Sequence, residues 1–291
     1  MHNFAILLGL LLGQAMAHNL YLREGYNKSR NLLILLLMLP IFYTAYRYLS
    51  VIIVDPDSLF YITLLFPLVF CLNKDLYKII AFILVGIICA ISAKRSILIA
   101  YSFCLFIFIL QYSILNRKNK KSAITNAIML IGILLGVYWL IQSNSDVIDH
   151  ITLRFQSISE DNGSGRQDIY DQLWKAYDNN PIMQKMFGNG YRSAVAVLGG
   201  VPAHNDMLEI LYDFGILTLL CYIYILVRYL LIVVKELKKI SLCDEVSMLL
   251  VSVFNIIVLG SLNNIFIDTV FIMTAFMCIG IAERRIYLST L

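Results

Sequence analysis

Charge is what this sequence has least of. Asp, Glu, Lys and Arg make up 14% of its 291 residues and hydrophobic residues 60%, where a soluble domain carries about 25% and roughly 45–50%. A water-soluble core of this size could not cover itself with so few polar side chains, and the mean hydropathy is +0.78. A cytosolic enzyme, a secreted scaffold and a nucleic-acid binder are excluded on that ground. Cysteine is scarce as well: six, at 71, 89, 104, 221, 243 and 278, with no CxxC and none in the one long polar segment. That pattern builds no disulfide framework and no thiolate zinc site. The net charge of +4, from 23 Lys/Arg against 19 Asp/Glu, is too small to mark an acidic partner. Internal repeats and low-complexity tracts are lacking too.

What the chain does have is long apolar runs. A membrane-spanning helix needs about 20 mainly apolar residues, and the runs that qualify cover 3–22, 31–53, 57–73, 76–93, 97–115, 123–143, 207–234, 246–263 and 265–282. The last two form a hairpin turned at Asn263-Asn264. The fold expected is all-α: a polytopic helical membrane protein with about nine transmembrane helices and one large extracytoplasmic loop containing an amphipathic helix. The chain divides into a first membrane bundle over 1–143, the loop over 144–206 and a second bundle over 207–291.

Lys and Arg favour the cytoplasmic ends of short loops. Arg117, Lys118, Lys120 and Lys121 crowd one turn, which sets that turn inside. Alternation then puts inside Arg23, Lys28, Arg30, Lys74, Lys78, Arg228, Lys235, Lys238, Lys239, Arg284 and Arg285. Arg47, Lys94, Arg95, Arg154, Arg166, Lys175, Lys185 and Arg192 fall on or near the outer face. The N-terminus is expected outside, the C-terminus inside and the 144–206 segment outside. Ala15-Met16-Ala17 imitates a signal-peptide cleavage site, but no basic residues precede it and cleavage would turn the Lys-rich loops outward. Residues 3–22 are therefore expected to stay as a span, and an outward, uncharged start fits a chain whose earlier spans are missing.

The polar segment concentrates the chemistry. A helix runs from about Arg166 to Tyr177, with Ser164 able to cap it and Pro181 stopping it. Arg166, Ile169/Tyr170, Leu173/Trp174 and Tyr177 share one face, so the helix reads as amphipathic and lying on the membrane surface. Arg166 then either snorkels to lipid phosphates or binds an anion. Arg95 reads equally as an interfacial anchor. Together they form a pair of guanidinium forks suited to a diphosphate. His204 precedes the next span, with Asn205 or Asp206 as N-cap; the helix start favours a neutral imidazole able to take a proton from a hydroxyl. The alternative is a polar residue packed at a helix start. Asp55-Pro56-Asp57 has the DxD form of metal-dependent sugar transferases, but Asp57-Ser58 reads better as a helix cap. Asp268 and Arg47 are the most embedded charges and could pair.

The order of these elements resembles the O-antigen polymerase and O-antigen ligase superfamily of bacterial integral membrane glycosyltransferases. The resemblance runs from about Ile91 to Leu220. It is carried by Ser92-Ala93-Lys94-Arg95-Ser96; by Ser164-Gly165-Arg166 with its aromatic helix; by Asn180-Pro181 and Gly188-Asn189-Gly190; by Ala203-His204-Asn205 with Leu208 and Glu209; and by Asp213-Phe214-Gly215-Ile216. Members usually carry more spans than this chain. The resemblance implies a donor glycan on undecaprenyl diphosphate, handled without a cofactor or metal at the outer face of the inner membrane. Arg95 and Arg166 would hold the diphosphate and His204 would activate the acceptor hydroxyl. Lys94, Arg154, Arg192, Asn205 and Glu209 would add substrate contacts. Partners implied are the lipid-linked donor, a glycan acceptor, membrane lipids and other polysaccharide-assembly proteins. A polymerase joining repeat units leads. A ligase moving finished glycan to lipid A core uses the same motifs, and a lipid-linked-sugar flippase is the reading from another class, marked in general by repeats, broken helices and midplane polar groups.

Overall fold

The computed structural model describes residues 2–22, 43, 56–72, 75–92, 95–115, 166–239, 243–263, 265–266 and 268–289. Every regular element among them is helical: α1 (His2–Leu22), α2 (Pro56–Leu65), a 3₁₀ stretch (Phe66–Cys71), α3 (Asp75–Ser92), α4 (Arg95–Leu115), α5 (Arg166–Asp178), α6 (Ile182–Phe187), α7 (Ser193–Val197), α8 (Asp206–Lys239), α9 (Asp244–Leu262) and α10 (Thr269–Ser289). The expected spans 31–53, apart from Tyr43, and 123–143 lie outside the described residues, as do Arg47, Lys94, Arg154 and Ser164.

Among the described helices, Asp206–Lys238 and Asp244–Leu262 are long and apolar enough to cross a bilayer, while Ala5–Ala17, Leu59–Cys71 and Ser96–Gln111 are shorter apolar stretches. The run expected at 57–73 changes from α to 3₁₀ after Leu65, where Pro67 sits in the first turn of the new segment and lacks the N–H that an α-helix interior would use. Helix α10 begins later than its apolar run, because Asp268 caps it: Oδ1 accepts the N–H groups of Val270 at 2.8 Å and Phe271 at 3.2 Å. The Asp268 carboxylate thus engages helix amides, and Arg47, with which it could pair, lies outside the described residues.

Helices α1 to α4 and α8 to α10 share one apolar core, with Phe66, Phe82, Tyr229 and Phe276 among its largest buried side chains. Helices α1 and α10 run side by side in one direction, Gly9 against Met273 and Gly13 against Met277 and Ile281. Small residues at four-residue spacing let backbones approach this closely; Ala5, Gly9, Gly13 and Ala17 supply them.

Polar contacts gather at the two ends. At one end Lys78 and Gln111 both donate to Asp244, at 2.7 and 2.6 Å. Arg285 pairs with Glu245 at 2.8 Å. Glu283 accepts from Arg228 at 3.0 Å, Gln14 at 3.2 Å and Tyr229 at 3.4 Å. Lys78, Arg228 and Arg285 thus bind helices to one another. At the opposite end Asn263 Nδ2 donates to Ser96 Oγ at 2.8 Å, and the Phe266 N–H donates to Asp206 Oδ1 at 3.0 Å. The polar segment joins the bundle there.

Candidate functional site

The site is built around a break in α8. Gly215 has φ 80 and ψ 171, outside the helical region, in the first third of α8. A helical carbonyl ordinarily accepts from the N–H four residues ahead, and a break leaves those just before it open to other donors. The Tyr212 carbonyl accepts from the Asn189 N–H at 3.0 Å and the Asn189 side-chain amide at 3.1 Å; the Asp213 carbonyl accepts from the Gly190 N–H at 2.9 Å. Gly188, with φ 86, lies directly on the Asp213 carbonyl, and Gly215 on that of Met186. A Cβ at either glycine would overlap the other strand of chain, so both positions need glycine for space as well as for conformation.

The Asp213 side chain continues the join. Its Oδ2 accepts the Arg192 N–H at 2.7 Å; its Oδ1 accepts the Ala194 N–H at 2.7 Å and the Ser193 hydroxyl at 2.9 Å. One buried carboxylate therefore anchors the start of α7. Arg192 has φ 62, in the left-handed region, and its exposed guanidinium lies 5.9 Å from the Tyr191 ring. Asp213 was legible only as part of a motif; nothing local signalled that it grips a turn some twenty positions upstream.

Helix α5 spans Arg166–Asp178 as expected, but its apolar face meets protein. Leu173 is 1% exposed and packs with Ala194, Leu198, Ala203 and Tyr212, while Ile169, Ala176, Tyr177 and Leu208 close around them. The expectation that this face lies on the bilayer is thereby corrected: alanines at 194 and 203 leave room for Leu173 to sink into a small second core. Gln172 Nε2 donates to the Val197 carbonyl at 3.2 Å and Tyr177 Oη to that of Lys185 at 3.3 Å. Arg166 is the first residue of the helix and half-buried. Trp174 stays half-exposed, stacked on Tyr177 at 5.7 Å. Other exposed apolar side chains of this segment include Ile182, Met183 and Phe187 on α6, and Tyr191, Val197 and Val201 beyond it.

His204 occupies a turn fixed on both sides. Before it, the Ala203 N–H donates to Glu209 Oε1 at 2.6 Å. After it, Asn205 Oδ1 accepts the N–H groups of Met207 at 3.0 Å and Leu208 at 3.2 Å, so Asn205 is the N-cap of α8. His204 itself has φ 53, a conformation that costs a non-glycine residue about 1–2 kcal/mol and is held where function requires it more often than elsewhere. Asp206, the other residue expected as a possible cap, is turned inward and bonds Phe266. Glu209 is buried and braces the His204 turn.

The O-antigen ligase family model matches residues 80–223, a stretch running from α3 through the polar segment into α8. This match bears out the resemblance to the O-antigen polymerase and ligase superfamily. No curated protein and no solved structure matches it.

The O-antigen ligase segment contains the whole constellation: Arg95 at the start of α4, Arg166 at the start of α5, Arg192 at the start of α7, and His204 with its braces. The structure brings two of these to the same end of the bundle through one intermediary. The turn after α9 bonds Ser96, the neighbour of Arg95, through Asn263, and Asp206, two residues after His204, through Phe266. Arg166 and Arg192 belong to the unit packed around Leu173, which includes Ala203. Just past the Gly215 break, Phe187, Leu217, Thr218, Cys221, Tyr222 and Phe266 help line an open, mostly apolar cavity of about 420 Å³.

Proposed function

We propose that this membrane enzyme of the O-antigen ligase family is a polymerase of lipid-linked glycan. It joins glycan carried on undecaprenyl diphosphate to a hydroxyl of an acceptor sugar, at the outer face of the bacterial inner membrane. His204 takes the proton of the acceptor hydroxyl as its oxygen bonds to the anomeric carbon. The bond from that carbon to the diphosphate oxygen breaks, and the diphosphate leaves with the electron pair. Arg95 and Arg166 carry the departing negative charge, as fixed cations in a low-dielectric setting do well. Lys94, Arg154, Arg192, Asn205 and Glu209 add substrate contacts.

The observation that carries the reading is the shared end of the bundle: the helix start at Arg95 and the turn at His204 both lean on the 263–266 turn. The paired cations Lys78, Arg228 and Arg285 lie at the other end. That separation supports an orientation with the N-terminus and residues 144–206 outside and the C-terminus in the cytoplasm, and the three-part division at 143 and 206. The parallel course of α1 and α10 is in keeping with it.

A ligase reading, in which finished glycan moves to lipid A core or another acceptor, is favoured by the description of the matching family. It uses the same residues and differs in product. The break in α8 is a feature a flippase would share, but here its carbonyls bond loop backbone and the adjacent cavity is mostly apolar, which supports surface chemistry over transport. The test is complementation of a strain lacking this gene with His204→Ala and Arg166→Ala, reading surface glycan on a gel. Loss of the ladder with normal membrane insertion supports the assignment. A single-repeat band that survives while longer products vanish points to the polymerase. Normal ladders from both variants would sink it.

A further inference from the structure

We infer that Asp206 is a positioning residue that sets the helix start of Arg95 and the turn of His204 in one register through the Asn263–Phe266 turn. The inference rests on the reading above, in which Arg95 and His204 act on the donor and the acceptor.

Asp206 is 1% exposed in a chain whose setting is apolar, and a buried carboxylate in such a place is costly enough to need a reason. Its Oδ1 accepts the Phe266 N–H at 3.0 Å. The turn that presents this N–H is held in turn by Asn263, whose side-chain amide donates to Ser96 Oγ at 2.8 Å. Two short hydrogen bonds thus connect position 95 with position 204 although more than a hundred residues separate them. The slot for the carboxylate is shaped by Gly260, where a Cβ would come within 2.5 Å of Asp206 Oδ2. Gly260 lies in the last turn of α9, and the space left by its missing Cβ is the space Asp206 occupies. What the link needs is an acceptor at Oδ1, not a negative charge, because the partner is a neutral amide. Reacting groups brought to their places by such struts lose rate steeply when displaced by about 1 Å, on the order of a hundredfold.

The experiment uses the full chain in lipid nanodiscs, with undecaprenyl diphosphate as the binding probe and undecaprenyl-diphosphate-linked repeat units as donor. Turnover is expressed per undecaprenyl diphosphate bound, so that misfolded protein does not count. Asp206→Ala and Gly260→Ala are expected to lower turnover by about 10- to 100-fold, with probe affinity within about threefold of wild type. Asp206→Asn, which keeps the acceptor, restores at least about a third of wild-type turnover. The double variant Asp206→Ala/Gly260→Ala is no slower than Asp206→Ala, because both changes break one link. An Asp206→Asn protein as slow as Asp206→Ala overturns the inference, as does normal turnover in Asp206→Ala or a loss of probe binding that accounts for the whole effect. Arg95→Ala and His204→Ala in the same assay separate the two levels. If they are inactive while the Asp206 and Gly260 variants are normal, only the strut fails; if they are active, the functional reading fails first.

Discussion

The backbone N–H of Arg192 donates to the Asp213 carboxylate at 2.7 Å, and that bond, with those from Ser193 and Ala194, ties the start of α7 to α8. Asp213→Ala leaves buried donors without their acceptor, a loss of about 1–3 kcal/mol. Amide hydrogen exchange should show residues 190–198 losing protection while the distal half of α8, beyond Gly215, keeps its own. Equal loss along the whole helix would contradict a local anchor.

Glycine substitutions separate space from conformation. Gly188→Ala and Gly215→Ala put a Cβ into the facing carbonyl as well as into a left-handed conformation, whereas Gly190, with φ 105, has open space around it. The first two should lower the detergent melting temperature sharply. Gly190→Ala should cost only the conformational strain of about 1–2 kcal/mol. The order of the three melting temperatures is the measurement, and a Gly190 variant as damaged as the others would argue against the close approach.

Leu173 and Trp174 are neighbours with opposite surroundings, 1% and 50% exposed. Leu173→Ala should destabilise the small second core by about 2–5 kcal/mol and expose α5 to limited proteolysis. Trp174→Ala should leave the cleavage pattern unchanged. Proteolysis that favours the Trp174 variant would place the wrong face against the protein.

Lys78 has a side chain only 7% exposed and pairs with Asp244, whose side chain is 32% exposed. Removing one member of a buried pair costs about 3–5 kcal/mol; the accessible carboxylate lowers the expectation for Lys78→Met to about 2 kcal/mol. Lys78→Met/Asp244→Leu should regain most of that in thermal melts, and a double variant worse than the single would refute the pairing.

Periodic and capping signals were readable in advance. The span of α5, its stop near Pro181 and a cap at Asn205 or Asp206 follow from side-chain spacing and from amides that need acceptors. The break at Gly215 was not, since one glycine in an apolar run looks like any other small residue until a second backbone is laid against it. Asp206 stands as the alternative cap because capping is local, yet its partner lies 60 positions away. Asp268 was read as a membrane-embedded charge because the apolar run continues across it, whereas the helix starts one residue later. Leu173 fell on the right face, but the protein covering that face comes from three other elements, and no periodicity within α5 names them.

The carbonyls of Tyr212 and Asp213 find their partners in residues 189 and 190. Buried backbone carbonyls need donors, so the segment at 188–190 completes a helix that is otherwise left open. Exchanging this segment between family members would therefore remove donors from α8. Chimeras that swap the segment together with α8 should assemble where segment-only chimeras do not. Divergence in acceptor preference is then expected to come piecemeal, at outward positions such as Ile182, Met183, Tyr191 and Val201, and not by transplanting the segment whole.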